Sequence, residues 1–334
     1  MKARGRDAGA RDPAVLVFDV VSYGRRGPTP PRVFSHEQLE QLSRTARGVP
    51  EVMVKVTGGG RDGHGVAAHF EYIGRNGVLE IETDDGRTLT GESLGKVLVQ
   101  DWDLDLYPTR LPRGLTKNQI RRTAKLVHNI TLSMPATTDA RKVLAAARAF
   151  ASENFALKHR YALVLHTDTP HPHVHLCVKA ESEEAERLYI RKATLRQWRA
   201  DFARHLGEQG IVANATPRAV RGRAERRKSD GIYRADQRGE STHMRERFRS
   251  VARNLREGKP LADSGKAMLE ETRRQVVADW KRSLGVVVAQ GETDLAIKIA
   301  QFIKGMPSVQ TEREAITELI SAKVDKREMQ GPER

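Results

Sequence analysis

Apolar positions along this chain recur at two periods, and the switches between them mark out strands and helices. Val52 to Val56 reads as a buried strand, with Gly58-Gly59-Gly60 as the loop that leaves it. Leu79 to Leu89 alternates about Asp85-Gly86, a hairpin signal, and from Glu92 the chain turns helical. Apolar runs near 127, 161 and 173, with a weaker one near 188, predict further strands. Thr137 or Thr138 with Asp139 caps a helix that runs through Phe155, where Val143, Leu144, Ala147 and Phe150 recur at helical spacing. Ala193 to Gln209 is a second such helix, with Leu195, Trp198, Phe202 and Leu206 on one stripe and Gly210 ending it. Met268–Leu284 and Thr293–Ile303 are amphipathic beyond them. The order predicts an α+β protein: an antiparallel five-stranded sheet with helices covering one face, plus a basic helical C-terminal region.

A length of 334 residues suggests about two domains. The divisions expected are a basic N-terminal extension over 1–48, the α+β domain over 49–216, an arginine-rich linker or DNA-binding segment over 217–260, and a helical region over 261–334. The apolar stretch Ala14 to Phe18 is interrupted by Asp19 and is too short for a signal peptide or a membrane span. With one cysteine, Cys177, disulfide scaffolding is excluded, which fits a reducing cytoplasm. That thiol sits in an apolar run and reads as packing. The polar tail, Lys323 to Arg334, is expected to be disordered.

Charge changes the picture. Fifty-eight Lys and Arg against 43 Asp and Glu give a net charge of +15, which favours a polyanionic partner such as nucleic acid. Pro217 to Lys259 alone holds 14 basic and 6 acidic residues, and Arg218, Arg221 and Arg223 open its densest stretch. Such a run neutralises phosphates without reading bases.

Candidate chemistry concentrates in ten residues, His166-Thr-Asp168-Thr-Pro-His171-Pro-His173-Val-His175, which hold four of the eleven histidines. His173 and His175 project from one side of a strand, and the turn between the flanking runs delivers His166 beside them. Three imidazoles then converge, as they do around a metal ion. Asp168 is placed to orient an imidazole through its ring N–H, and His171, between two prolines, is the least secure ligand. Three histidines with open positions suit zinc or manganese, whereas magnesium prefers oxygen ligands. A metal beside nucleic acid points to phosphoryl transfer, with water or a side chain attacking. Among the tyrosines Tyr72 stands out, in Ala67-Ala-His-Phe-Glu-Tyr72-Ile-Gly-Arg75-Asn-Gly77: a phenolate is a competent nucleophile toward phosphorus, and Arg75 can hold the adjacent phosphate.

His166-x-Asp168-x-x-x-x-His173-x-His175, preceded by Tyr72-x-x-Arg75-x-Gly77 and by the strand ending Ser133-Met-Pro135, resembles the conjugative relaxases. These are mobilisation nucleases of the His-hydrophobic-His superfamily; the nearest likeness is to the branch that includes the T-DNA border endonuclease. The resemblance covers roughly Glu51 to Pro217. It implies the relaxase fold and a strand-specific nick at an origin of transfer, with Tyr72 ending on the 5′ phosphate of the cut strand. It further implies a divalent cation, magnesium or manganese with zinc as a third option, on His166, His173 and His175. Asp168 would orient His166 or assist deprotonation of Tyr72, and Ser133 would contact DNA near the cleaved bond. The implied partners are single-stranded and supercoiled DNA at that origin, relaxosome accessory proteins and a type IV secretion coupling protein. The implied location is the bacterial cytoplasm, with export alongside the transferred strand.

Other readings stay open at this level. Tyr23, in Ser-Tyr-Gly-Arg-Arg-Gly, is a competing nucleophile, although Pro28, Pro30 and Pro31 stop any helix from carrying it onward. A single-tyrosine replication initiator or transposase shares the His-x-His core. A non-catalytic DNA-binding accessory protein with structural zinc leaves Tyr72 unused and wants a fourth ligand. A non-haem iron oxygenase spreads its ligands more widely and has no use for the basic balance.

Overall fold

The computed structural model describes residues 33–107, 124–223, 238–258 and 264–329, with short pieces at 17–18, 25–26, 114–116, 119 and 235. Contacts group them into two units: Gly48–Ala215, and the described residues before and after it. Tyr23 lies outside the described residues.

Within Gly48–Ala215 six strands form one sheet: β1 (Met53–Gly58), β2 (Ile81–Thr83), β3 (Thr88–Leu89), β4 (Val127–Ser133), β5 (Tyr161–His166) and β6 (His173–Lys179). Their order is β1-β4-β6-β5-β2-β3, with every pairing antiparallel. The α+β class is as expected, with two corrections. The sheet has six strands rather than five, because the 79–89 hairpin pairs Glu82 with Leu163 and so extends the sheet beyond β5. The segment near 188 contributes only an isolated bridge between Glu181 and Arg187.

Second, helices cover both faces rather than one. Period-two alternation sends Ile130, Leu132, Val174, Leu176, Val178 and Leu163 into a core beneath the helices over Ala140–Phe155 and Lys192–Glu208. The opposite face presents Val127, Ala162, Val164 and Cys177 to Val66, Phe70, Ile73, Leu94, Leu98 and Trp102. β5 and β6 are interior strands, so their alternate positions are apolar on both sides until the histidines begin. In chain order the helices of this unit are α1 (Gly63–Ile73), α2 (Leu94–Asp101), α3 (Ala140–Phe155) and α4 (Lys192–Glu208).

Residues 80–105 build the support for α1. Gly95 lies so close to Ala67 that a Cβ there would stand 2.2 Å from the Ala67 carbonyl oxygen. Glu71 of α1 accepts the Gly95 N–H at 2.9 Å, satisfying an amide in the first turn of α2. Helix α3 begins where expected, with the Asp139 side chain accepting the Arg141 N–H at 2.8 Å. Phe150, fully buried on α3, meets the rings of Phe155, Trp198 and Phe202 edge-on at 6.1–6.2 Å between centroids. Phe150→Ala leaves a cavity these rigid rings cannot fill, and is expected to cost about 3–5 kcal/mol in urea unfolding. A loss under about 1 kcal/mol would show that this core relaxes freely.

The other unit contains α5 (Thr242–Arg256), α6 (Ser264–Ala289), α7 (Thr293–Lys304) and α8 (Glu312–Met329), together with an earlier helix, His36–Ala46. Phe34 and Leu42 pack with Val276, Trp280, Val287, Leu295 and Ile299, so residues 34–46 share a core with the C-terminal helices. Trp280 donates its indole N–H to the Val220 carbonyl at 2.8 Å. Helix α8 continues to Met329, into the segment read as a polar tail.

Candidate active site

The face of β4, β6 and β5 that packs on α1 and α2 becomes polar at one end. In register across these strands stand Ser133, His173 and His166, and beside them Thr131 and His175. The alternation of a strand and the antiparallel turn between β5 and β6 suffice to bring the three histidines together. One ring nitrogen from each lies within 4.8 Å of the others, and their ring centroids are 4.5–5.2 Å apart.

Two rings have their tautomer fixed by a backbone carbonyl, which can only accept. His166, almost fully buried, donates Nε2–H to the Ile73 carbonyl at 2.6 Å, leaving the Nδ1 lone pair. His173 donates Nδ1–H to the His171 carbonyl at 3.0 Å, leaving Nε2. His171 thus acts through its backbone, and its exposed side chain is no part of the triad. Burial first, then the nearby His166, His173, His69 and Arg75, push the His175 imidazole down to about 3. His175 is therefore neutral near pH 7. Three imidazoles that each bring a ring nitrogen within 4.8 Å of the others are a donor set suited to a divalent transition metal, so the residues fit the implied cation.

The nucleophile candidate sits on α1. Tyr72 is 58% exposed, and its side chain interacts with the Arg75 guanidinium. Helix α1 ends immediately after it, and the chain turns through Arg75, Asn76 and Gly77 at positive φ. Gly77 is required there, because a Cβ would fall 1.8 Å from the Gly91 carbonyl oxygen. Since Ile73 accepts from His166, the residue after Tyr72 is bonded directly to a candidate metal ligand.

Arg75 turns back over this junction. Its guanidinium lies 5.1 Å from the Tyr72 ring centroid and donates to the Tyr72 carbonyl at 2.9 Å. It pairs with Asp168 and donates to His166 Nδ1 at 3.1 Å. The Asp168 carboxylate, 3.9 Å from His166 Nδ1, is held by Arg75, which keeps it below its ordinary range; the His166 N–H goes to Ile73 instead. Arg75 therefore occupies the lone pair that a cation on His166 needs. Arg75→Gln is expected to tighten manganese binding about tenfold in isothermal titration, the equivalent of one charge-assisted hydrogen bond removed from the competing state. Unchanged or weaker binding would sink this competition.

His69 escaped the sequence reading. It precedes Tyr72 by one helical turn, a spacing that places both on one face and gave the available signal. Its ring lies 6.3 Å from that of Tyr72 and 6.4 Å from that of His175, between Tyr72 and the triad. Among the described residues its buried Nε2 has no hydrogen-bond partner, and burial lowers its proton affinity. Ser133 stands opposite His173, buried, with its hydroxyl donating to the Met134 carbonyl at 3.4 Å. Cys177 is fully buried and its thiol is pushed up by burial, as a packing residue should be. Arg218, Arg221 and Arg223 belong to the other unit, where only Arg223 is exposed.

Residues 113–210 match the family model described as "Relaxase: MobA/VirD2-like, nuclease domain". Over these residues the chain is similar to the nuclease domain of relaxases. The matched stretch takes in the histidine triad, Asp168 and Ser133 and begins after Tyr72 and Arg75, so the relaxase match bears on the triad and not on the nucleophile. No curated protein matches the chain. A solved structure described as "Molecular Basis of Vancomycin Resistance Transfer in Staphylococcus aureus" is similar at 13% identity, covering 51% of this chain and 99% of that one, with a TM-score of 0.29. So low a score carries no argument about the relaxase domain. Among the described residues no helix is long and apolar enough to cross a membrane.

Proposed function

We propose that the relaxase domain nicks and rejoins one DNA strand at an origin of transfer, using Tyr72 as nucleophile and leaving a 5′-phosphotyrosyl intermediate. One observation carries this reading: the turn that holds Tyr72 is hydrogen-bonded through Ile73 to the buried ligand His166. Nucleophile and triad are therefore fixed to each other by the backbone and not by long side chains.

In the reaction, the Tyr72 oxygen attacks the scissile phosphorus and the 3′ oxygen of the preceding nucleotide leaves. The phosphodiester is exchanged for a phosphotyrosyl bond, and its energy is retained for rejoining by the reverse attack. His166, His173 and His175 would hold a divalent cation, manganese or magnesium, and that group would supply polarisation of the phosphate oxygens and offset their charge. Arg75, once withdrawn from His166, is within reach of the phosphate that Tyr72 engages, and Asp168 accepts it when no phosphate is bound. His69 holds the Tyr72 ring against the cluster. Relaxosome proteins and a secretion coupling protein remain the partners such a role calls for.

The test incubates full-length protein and manganese with supercoiled plasmid bearing DNA from beside its own gene. Expected is a metal-dependent nick with protein linked to the 5′ side. A free 5′ phosphate at the nick would replace tyrosine attack with hydrolysis.

A further inference from the structure

We propose that α5 carries a second nucleic-acid site, one for duplex DNA, on the exposed arginine row Arg245, Arg249, Arg253 and Arg256. The inference adds to the proposed nicking role and does not use its chemistry.

Helix α5 holds five arginines and one glutamate in fifteen residues. At about 100° per residue, positions 245, 249, 253 and 256 fall within an arc of about 80°. All four side chains are exposed. Among the described residues none of the four meets a carboxylate, whereas Arg247, on another part of the helix, approaches Glu312 at 3.8 Å. Four guanidiniums aligned and left facing water repel one another and raise a concentrated positive potential. That arrangement is suited to a regular polyanion.

The rest of the helix narrows the partner. Its apolar face is already used: Met244 and Val251 are buried with Ile316, with Phe248 and Ile320 packed against them. A basic amphipathic helix bound to lipid needs that face free, so a membrane is disfavoured. Single-stranded binders add aromatic platforms on which bases stack, and Phe248, the one Phe, Tyr or Trp of α5, belongs to the packed face. What remains is a rigid ridge of charge about 16 Å long. A duplex strand places a phosphate about every 3.4 Å along its axis, so the ridge can engage four in succession without reading a base. Such a site holds the unbroken duplex of a plasmid, while the relaxase domain acts on one strand.

Binding of the full-length protein to a 30-base-pair duplex and to a 30-nucleotide single strand, both of arbitrary sequence, is measured from about 50 to 300 mM salt. Replacing all four arginines by glutamine is expected to flatten the duplex plot of log K against log salt by about 3 to 4, near 0.9 per lost phosphate contact. The single-strand plot should change by less than one. Lysine at the same four positions should restore the duplex slope, which separates lost charge from a misfolded helix, and Arg247→Gln alone should leave it in place. An unchanged duplex slope in the glutamine variant would overturn the proposal. So would a loss confined to the single strand, or a lysine variant that fails to recover. Neither result would touch Tyr72, whose adduct is assayed separately.

Discussion

Tyr72→Phe is expected to abolish the covalent protein–DNA adduct, lowering cleavage by a factor on the order of 10³ or more, because no neighbouring group replaces the lost nucleophile. The substitution is clean. Phenylalanine keeps the ring beside His69 and under Arg75, at a residue that is 58% exposed. Stability should stay within about 0.5 kcal/mol, and DNA retention should be unchanged. Denaturing gels with labelled plasmid read the adduct directly. An adduct that survives in Tyr72→Phe would remove Tyr72 from the mechanism and turn attention to Tyr23. Wild type that binds DNA and metal yet forms no adduct would favour a binding protein.

The second large effect concerns the triad. His173→Ala, at a half-buried position, should weaken manganese binding at least about 100-fold, since even partners that only orient a ligand account for 10–100-fold. Nicking should fall with it and recover in part at high manganese. Asp168→Asn should behave differently, because Asp168 binds Arg75 and not the His166 N–H. Metal affinity that survives His173→Ala would dismiss the three-histidine site. The metal-free protein has an acid signature as well. His175 titrates at about 3 when folded, below its ordinary 6.5, so as pH falls the unfolded chain takes up the proton first. Stability from this residue is full above about 6.5 and is lost as pH drops toward 3. His175→Gln should lessen that loss in thermal unfolding followed across this range.

Local signals carried far along this chain. Asp139 was legible as a cap because a short side-chain oxygen before an alternating apolar stripe has one good use, and α3 starts there. The histidine cluster was legible because a strand fixes which neighbours share a face, and a Pro-rich turn fixes that the strands return. Less visible were relations with no sequence signature. Nothing local says that residues 80–105 brace α1, since the close approach of Gly95 to Ala67 and the Glu71 bond are set by two helices meeting. His69 was passed over because one histidine on an apolar helix is ordinary until a sheet places His175 across from it. The strand order and the second covered face were likewise hidden, because interior and edge strands differ by their neighbours and not by their own residues.

By itself, then, the sequence determined the α+β class, the bounds of α3 and α4, the basic balance and the convergence of His166, His173 and His175. Each follows from a period, a cap or a charge that acts over a few residues. Tertiary structure alone decided that Ile73, and not Asp168, fixes the His166 tautomer, and that Arg75 lies across its other nitrogen. It alone separated the free arginines of α5 from Arg247 beside Glu312. These are choices between near-equal hydrogen-bond and ion-pair partners far apart in the chain, and only packing, which sets distance and excludes water, makes one of them win.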